Sequence, residues 1–320
     1  EAIYCLFFTK TFKNLKDFEL INYNETFFNI KGEIIEKSEE KSKLFLGFDS
    51  TNKIIKKGNK IYTKSSDFIG EYRAVVFSPD DLELIKGSPS IRRHFLDINI
   101  SQIKHKYLLD VIKYKKLLKE RNELLKQNNN DQRIMLLEIL TQKMEEIVTS
   151  IVQERKQFIS SLNEKINKYI FSLNRGQENI ELVYNPNVNV DNLLKSRQER
   201  MKNDLYAKHT TWGPLRDDVS TLLNGKNASS FASQGQIRSI VISLKMALTD
   251  VFTQETENIV IILDDVLSEF DESRQNELFK MLNGDKQVFM TTTSIAPIAE
   301  DILNSSNIIE IKGGREYECE

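Results

Sequence analysis

The chain has 320 residues, of which 40% are hydrophobic and 29% charged, enough apolar material for a packed core and too much for a disordered chain. Its 45 basic and 47 acidic residues give a net charge of -2, so any nucleic-acid binding must come from a local basic surface. No apolar stretch approaches the ~20 residues of a membrane-spanning helix, and Cys5 and Cys319 form no disulfide or metal-ligand pattern. We therefore expect a soluble, cytoplasmic protein.

The first hundred residues predict part of an α/β domain. The pattern after Glu1 is typical of the middle of an apolar helix, and short apolar runs separated by glycines between residues 27 and 60 are typical of an antiparallel meander. A further apolar strand at 74–77 ends at the Ser-Pro-Asp-Asp turn 78–81, where proline stops strand pairing. A helix follows from about residue 89.

The middle of the chain predicts a helical lobe. Between residues 103 and 173 glycine and proline are absent, and apolar residues recur every three or four positions. The polar run 128–131 divides this stretch, so we expect a hairpin of two antiparallel helices of about 35 residues each. With a short strand and one more helix, the lobe spans residues 103–208 and is inserted between residues 1–102 and 209–320 of the other domain.

The last hundred residues alternate between helix and strand, which predicts a parallel sheet covered by helices. The expected helices begin near Gln236, Glu272 and Ile298, and the expected strands are 259–263, 287–291 and 308–311. Between the lobe and this region, Asn224-Gly225 predicts a tight turn between two strands.

Two carboxylates, Asp264 and Asp265, follow directly on the apolar run 259–263. An uninterrupted apolar strand is buried on both faces, and ligands of such sheets bind at the carboxyl ends of the strands. Asp264 is placed to hold Mg2+, and Asp265 to orient or deprotonate an attacking water. The alternative is that the pair lies in a solvated loop.

The segment Ser233-Gln234-Gly235-Gln236 stands at the expected amino end of an amphipathic helix. Free backbone N–H groups and the helix dipole favour an anion there, and glycine lets a phosphate approach the backbone closely. The alternative is a serine that only caps the helix.

Together these motifs resemble the head domain of ATP-binding-cassette (ABC) ATPases, and their local sequences resemble the RecF family of bacterial recombination mediators. The resembling segments are a signature motif at 231–238, a Walker B motif and D-loop at 263–271, a switch strand at 287–293, and further blocks at 77–82, 86–97 and 213–218. The resemblance implies an α/β fold: an ABC-ATPase-like head whose mixed sheet combines an antiparallel meander with a parallel core, and an inserted, mostly α-helical lobe.

The resemblance also implies ATP and Mg2+ as cofactors and an ATP-dependent homodimer. In this class the signature residues of one subunit close on the nucleotide held by the other subunit. The implied site residues are Asp265 as the catalytic residue, Asp264 at the metal, Ser233, Gln234, Gly235 and Gln236 as the signature acting in trans, Ser268 and Asp271 in the D-loop, and Thr292 and Thr293 in the switch.

Two departures from the family pattern bear on activity. No stretch of residues 1–320 fits the phosphate loop G-x-x-x-x-G-K-[ST], so we expect that loop and the preceding strand to have been lost ahead of Glu1. A polypeptide that lacks them is not expected to hydrolyse ATP. Leu215 stands where the family has a histidine, and it cannot supply that residue's polar group.

For function, the resemblance implies a DNA repair, recombination and replication protein of the SOS response. It implies binding to gapped DNA or to single-strand/double-strand junctions, help in loading RecA, RecR and RecO as partners, no membrane partner, and a weak DNA-dependent ATPase activity. Lys86, Arg92 and Arg93 are the candidate DNA contacts, unless they belong to an ordinary solvated basic surface.

Two other functions are weighed against this one. A structural DNA tether of the SMC kind needs long coiled-coil arms, whereas helices of about 35 residues span only ~50 Å. The ATPase subunit of an ABC transporter has a short insert and a histidine before the position of residues 291–293, and neither feature is present.

Overall fold

The computed structural model describes the chain except for residues 14, 36–40, 129, 175, 177, 256–258, 283–285, 297, 313–314 and 318–320. Cys5 is buried and unpaired, and Cys319 lies outside the described residues. Among the described residues, no helix has an apolar stretch long enough to cross a lipid bilayer.

Helices and strands alternate along the described chain, with a long helical stretch in the middle. The helices are α1 (Ala2–Phe8), α2 (Glu83–Lys86), α3 (Pro89–Ile103), α4 (His105–Leu125), α5 (Asp131–Asn174), α6 (Arg197–Ala207), α7 (Ala228–Phe231), α8 (Gln234–Glu255), α9 (Glu272–Leu282) and α10 (Glu300–Asn304). The strands are β1 (Phe28–Ile35), β2 (Lys41–Phe48), β3 (Lys53–Lys57), β4 (Lys60–Tyr62), β5 (Arg73–Phe77), β6 (Ile180–Asn185), β7 (Asp218–Leu223), β8 (Lys226–Asn227), β9 (Ile259–Asp264), β10 (Gln287–Thr291), β11 (Glu310–Lys312) and β12 (Arg315–Tyr317).

Strands β1 to β4 form an antiparallel meander, in the order of the sequence. Alternate residues point inward, where Leu44, Leu46 and Ile55 pack with α1 in one apolar cluster. The same cluster includes Ala74 of β5 and Ile262 of β9, so the meander and α1 lie against the central sheet. The predicted antiparallel meander is confirmed.

The central sheet is parallel, in the order β10-β9-β5. Strand β9 lies in the middle of this sheet and both of its faces are covered, so its apolar residues other than Val260 are buried, with Ile261 and Leu263 fully inaccessible. Helix α8 covers one face of this sheet through residues such as Ile240 and Leu244. This confirms the predicted parallel core and places the carboxyl end of β9 where the parallel strands end. The expected strand at 308–311 is not part of this sheet, because β11 pairs antiparallel with β12 in a separate two-stranded sheet.

The helical lobe differs in length from the prediction. Helix α4 has 21 residues and α5 has 44, rather than about 35 each. The polar turn ends α4 early, whereas buried apolar positions of α5 continue from Leu137 to Ile170, with Ile139 left exposed. Helix α5 therefore packs first on α4 and then on α8 of the head.

A small antiparallel sheet joins the segment 103–208 to the segment that follows it in the chain. Strand β6, within residues 103–208, pairs antiparallel with β7, and β7 pairs with β8. Near this sheet lies a buried ion cluster: Arg155 of α5 donates to Asp97 (2.8 Å) and Asp217 (2.7 Å). The two parts of the chain therefore share a sheet and a polar core.

Candidate functional site

Asp264 is the last residue of β9, where the buried strand reaches the edge of the central sheet. Its side chain is 21% exposed. One carboxylate oxygen accepts a hydrogen bond from the Thr291 hydroxyl (2.9 Å), and the other lies 3.6 Å from Nζ of Lys13. The carboxylate is thus oriented by a neighbouring strand and remains accessible to a ligand.

Asp265 adopts a left-handed backbone conformation, with φ of +52°. Aspartate and asparagine tolerate this region better than other residues with a side chain. Its N–H donates to the carbonyl oxygen (3.2 Å) and the hydroxyl (3.1 Å) of Thr291, and its carbonyl accepts from Ser268 (2.8 Å). The turn after β9 is therefore held to the end of β10 and to the D-loop.

A metal ion bound at Asp264 would take most of its ligands from the nucleotide and from water rather than from the protein. The described residues contain no cluster of three or more histidine, cysteine or acidic side chains that could hold a metal by themselves. Mg2+ is commonly held by one or two carboxylates together with substrate phosphates and water. The accessible carboxylate of Asp264 fits that kind of site.

The signature segment forms the first turn of α8. The Ser233 N–H donates to Oε1 of Gln236 (2.8 Å), and the Gln236 N–H donates to the Ser233 hydroxyl (3.3 Å). This reciprocal pair of hydrogen bonds is a capping box, so Ser233 does cap the helix. Ser233 and Gln234 are exposed, and Gln236 also donates to Glu178 of the loop before β6 (2.7 Å).

Arg274 of α9 links the signature turn to the D-loop. Its Nε donates to the Ser239 hydroxyl (3.0 Å), and a Cβ at Gly235 would lie 3.1 Å from its Nη2. Its backbone N–H donates to Asp271 (3.0 Å), and its guanidinium pairs with the same carboxylate. The hydrogen bond from this N–H, together with the guanidinium charge, lowers the pKa of Asp271.

The end of β10 contains a residue that the sequence analysis missed. The resemblance places the switch at Thr292 and Thr293, of which the first donates its hydroxyl to the Ser294 carbonyl and the second is exposed. Thr291, which pairs in register with Asp264, makes the contacts to both carboxylate residues. The sequence could have indicated Thr291, because it ends the strand 287–291 as Asp264 follows the strand 259–263, and the ends of neighbouring parallel strands lie side by side.

The candidate DNA contacts differ in their accessibility. Lys86 is exposed and forms no ion pair with another described residue. Arg92 donates to both carboxylate oxygens of Asp218 (2.7 and 3.0 Å) and to the Gly87 carbonyl (2.7 Å). Burial would raise the pKa of Asp218, but the hydrogen bonds from Arg92 and from the Val219 N–H, together with the charges of Arg92 and Arg93, outweigh it and lower that pKa.

Arg93 is also used within the chain, since it donates to the Asp217 carbonyl (2.9 Å). The two arginines thus hold α3 to the start of β7, whereas Lys86 is the most accessible of the three candidates. Leu215, at the position of the family histidine, is partly buried and packs against the main apolar cluster.

Comparison with known proteins gives consistent relatives over the whole chain. No protein-family model matches it. The DNA replication and repair protein RecF of Bacillus cytotoxicus is 35% identical over 331 residues, which cover 100% of this chain and 88% of that protein. RecF of Bacillus thuringiensis is also 35% identical, over 333 residues and with the same coverage.

Two solved structures are similar as well, one described as the recombination mediator protein RecF-ATPrS and the other as RecF-ATP, both in the RecFOR pathway. The first has a TM-score of 0.87 and 29% identity and covers 99% of this chain and 86% of that one. The second has a TM-score of 0.84 and 29% identity and covers 92% of this chain and 82% of that one. Sequence and fold agree across the head and the lobe, and the chain belongs to the RecF family of DNA replication and repair proteins.

Proposed function

We propose that the protein is a recombination mediator that binds ATP with Mg2+, dimerises on it, and binds gapped DNA or single-strand/double-strand junctions. In this proposal it acts in the cytoplasm with RecO and RecR and helps to load RecA. The observation that carries the proposal is the carboxylate pair at the carboxyl end of β9, oriented by Thr291, in a chain whose solved relatives are described as RecF with ATP or ATPrS.

Each site residue has a distinct role in this proposal. Asp264 would hold Mg2+, which when bound neutralises charge on the phosphates. Asp265 would orient or deprotonate the water that attacks. Because its own N–H is held by Thr291, the carboxylate of Asp265 starts from a fixed backbone position.

The signature turn would act on the nucleotide of a second copy. Ser233 caps a 22-residue helix that begins with Gln234, Gly235 and Gln236, and the dipole of this helix favours a phosphate at its accessible amino end. Ser268 and Asp271 would lie at the seam between the two copies. Arg274 ties Asp271 to the signature turn, so both would reach the partner as one unit.

The switch and the DNA contacts complete the proposal. Thr292 and Thr293 would report the state of the nucleotide to the end of β10. DNA would stimulate a weak ATPase activity, and of the three basic candidates Lys86 offers the accessible charge. Release from DNA would follow hydrolysis, timed by Asp265.

The geometry of the lobe favours this function over an SMC-like tether. Helix α5, the longest in the described chain, has 44 residues, or about 66 Å, and Ile166 and Ile170 near its end are fully buried. Its second half packs on α8 and β6, so it does not extend as a free arm.

The test compares the full-length protein with its Asp265→Asn variant. Asparagine tolerates the left-handed backbone of residue 265, so the turn should remain in place while the carboxylate charge is lost. We expect both proteins to dimerise with ATP and bind a gapped duplex, and the variant to stay dimeric and DNA-bound after the wild type has dissociated. Light scattering and fluorescence anisotropy measure the two states. A full-length protein that stays monomeric with ATP and does not bind DNA would refute the proposal.

A further inference from the structure

The outer face of the meander carries an unusual set of side chains. Residues of β2 alternate, so that Leu44 and Leu46 face the core while Lys43 and Phe45 face away from it. The strand register places Lys31 of β1 and Lys56 of β3 directly opposite Phe45, one on each side. We call Lys31, Lys41, Lys43, Phe45 and Lys56 the Phe45 face.

The charge of this region contrasts with that of the whole chain. Residues 41–64 contain seven lysines and one acidic residue, Asp49, in a protein whose net charge is -2. Two of these lysines serve the opposite side of the sheet, since Lys53 pairs with Asp17 (2.6 Å) and Lys57 with Glu71 (3.0 Å).

The lysines of the Phe45 face are not neutralised in this way. None of the four forms an ion pair with another described residue, and Lys31, Lys41 and Lys43 are exposed. The single acidic residue among the described neighbours on this side of β1 and β2 is Glu33, opposite Lys43. Within the part of the chain that the structure describes, the Phe45 face therefore has an excess of positive charge, with four lysines against Glu33.

Phe45 lies flat on the sheet because its neighbour has no side chain. A Cβ at Gly47, two residues along on the same face, would lie 2.9 Å from the Phe45 ring, so any larger residue would lift the ring away. Nζ of Lys56 is 5.7 Å from the ring centroid, within the range of a cation–π contact. The ring is partly exposed, with the ammonium group of Lys56 near it.

We propose that the Phe45 face binds single-stranded nucleic acid, with phosphates on the lysines and an unpaired base stacked on Phe45. Proteins that bind single strands without sequence preference combine a basic track with an aromatic platform. Paired bases within a duplex do not offer a free face to such a ring. The inference rests on the proposed function and assigns the single-stranded part of a gap or junction to the outer side of the meander.

The test uses the full-length protein, a fluorescein-labelled oligo-dT of about 30 nucleotides and a blunt duplex of the same length. One variant combines K31Q, K43Q and K56Q, and a second is Phe45→Leu. The matched control combines K143Q, K195Q and K202Q, three exposed lysines of the helical lobe that form no ion pair with another described residue. Binding is measured by anisotropy between about 0.05 and 0.2 M NaCl.

We expect the triple variant to reduce the slope of log K against log salt for oligo-dT by about 2, since each single-strand phosphate contact contributes about 0.7. Phe45→Leu should weaken oligo-dT binding about tenfold and leave duplex binding unchanged, because only stacking is lost. The control should match the wild type. Circular dichroism and thermal melting verify that each variant is folded.

Two outcomes would overturn the inference. Unchanged slopes in the triple variant, in a protein that still binds oligo-dT, would remove the Phe45 face from the nucleic-acid interface and leave the proposed function standing. Loss of RecR or RecO binding with unchanged oligo-dT binding would make this face a protein-docking surface instead. A wild-type protein that binds neither oligo-dT nor gapped duplex refutes the proposed function itself.

Discussion

Thr291 shows how one side chain can set the geometry of a candidate metal site. Its hydroxyl donates to Asp264, and the same hydroxyl and the carbonyl of Thr291 accept from the N–H of Asp265. A carboxylate held by such a bond keeps one rotamer, with its second oxygen left for a ligand. Nζ of Lys13 lies 3.6 Å from that second oxygen, so a cation that binds Asp264 must compete with the ammonium group of Lys13.

Replacing Thr291 with valine keeps the shape of the side chain and removes the hydroxyl. Since hydrogen bonds to charged groups contribute about 1.5–3 kcal/mol, we expect the Mg2+ concentration for half-maximal ATP-dependent dimerisation to rise about tenfold. Light scattering during a Mg2+ titration of the full-length protein measures this. Thr253→Val is the matched control, because the Thr253 hydroxyl donates to the Thr249 carbonyl within α8 and contacts neither carboxylate. Equal Mg2+ dependence in the two variants would show that Thr291 does not position Asp264.

At the scale of the element, the hairpin β2–β3 depends on a turn that presents Phe45 and Lys56 side by side. Asp49 begins this turn, and its carboxylate accepts from the N–H of Asn52 (2.6 Å) and from the N–H and hydroxyl of Thr51 (3.1 and 2.8 Å). These bonds favour the ionised form and, with the Asn52 N–H contributing most, lower the pKa of Asp49 to about 2. The turn is thus stabilised by a charge.

This lowered pKa predicts the pH range in which the turn weakens. A folded-state pKa below the unfolded value of about 3.9 contributes stability that is fully present above that value and is lost as the pH falls through the folded pKa. We therefore expect Asp49→Asn to have a lower melting temperature than the wild type above about pH 4, and the difference to shrink as the pH falls and to vanish below about pH 2. Thermal melts across this range measure it. A difference that stays constant with pH would show that the charge of Asp49 does not stabilise the turn.

Local patterns predicted the elements well, and long-range contacts account for most of what was missed. The apolar run before Asp264 predicted a buried strand because five consecutive apolar residues need two covered faces. The length of α5 was missed because its apolar positions serve two partners, first α4 and then α8.

The candidate site shows the same division between local and long-range information. The pairing of β6 with β7 joins residues far apart in the sequence, and no local signal encodes it. The sequence alone could not show that Arg92 and Arg93 make contacts within the chain. Their partners, the Asp218 carboxylate and the Asp217 carbonyl, are brought to them only by folding. The sequence therefore predicted which residues form the candidate site, whereas their hydrogen-bond partners could be identified only in the structure.

The whole molecule is held together where the lobe meets the head by charges as well as by apolar contacts. Arg155, 1% exposed, lies among Asp97 of α3, Asp217 before β7 and Tyr107 of α4. Its guanidinium also donates to the Pro214 carbonyl (2.8 Å). Burial would lower the pKa of Arg155, but the surrounding acidic groups outweigh it, and the pKa is raised well above its ordinary value. One side chain thus connects the lobe to two segments of the head.

Removing this arginine should leave two carboxylates without their counter-charge at the junction. Breaking a buried ion pair from one side costs about 3–5 kcal/mol, so we expect Arg155→Met to lower the free energy of unfolding by that amount in urea. Arg155→Lys keeps the charge but not the forked geometry, so its free energy of unfolding should lie between those of Arg155→Met and the wild type. Lys104→Ala, which breaks the exposed pair with Glu154 (3.2 Å), is the control and should cost less than about 1 kcal/mol. If Arg155→Met were no more destabilising than Lys104→Ala, apolar contacts alone would suffice to hold lobe and head together, and the buried charges would have to serve another purpose.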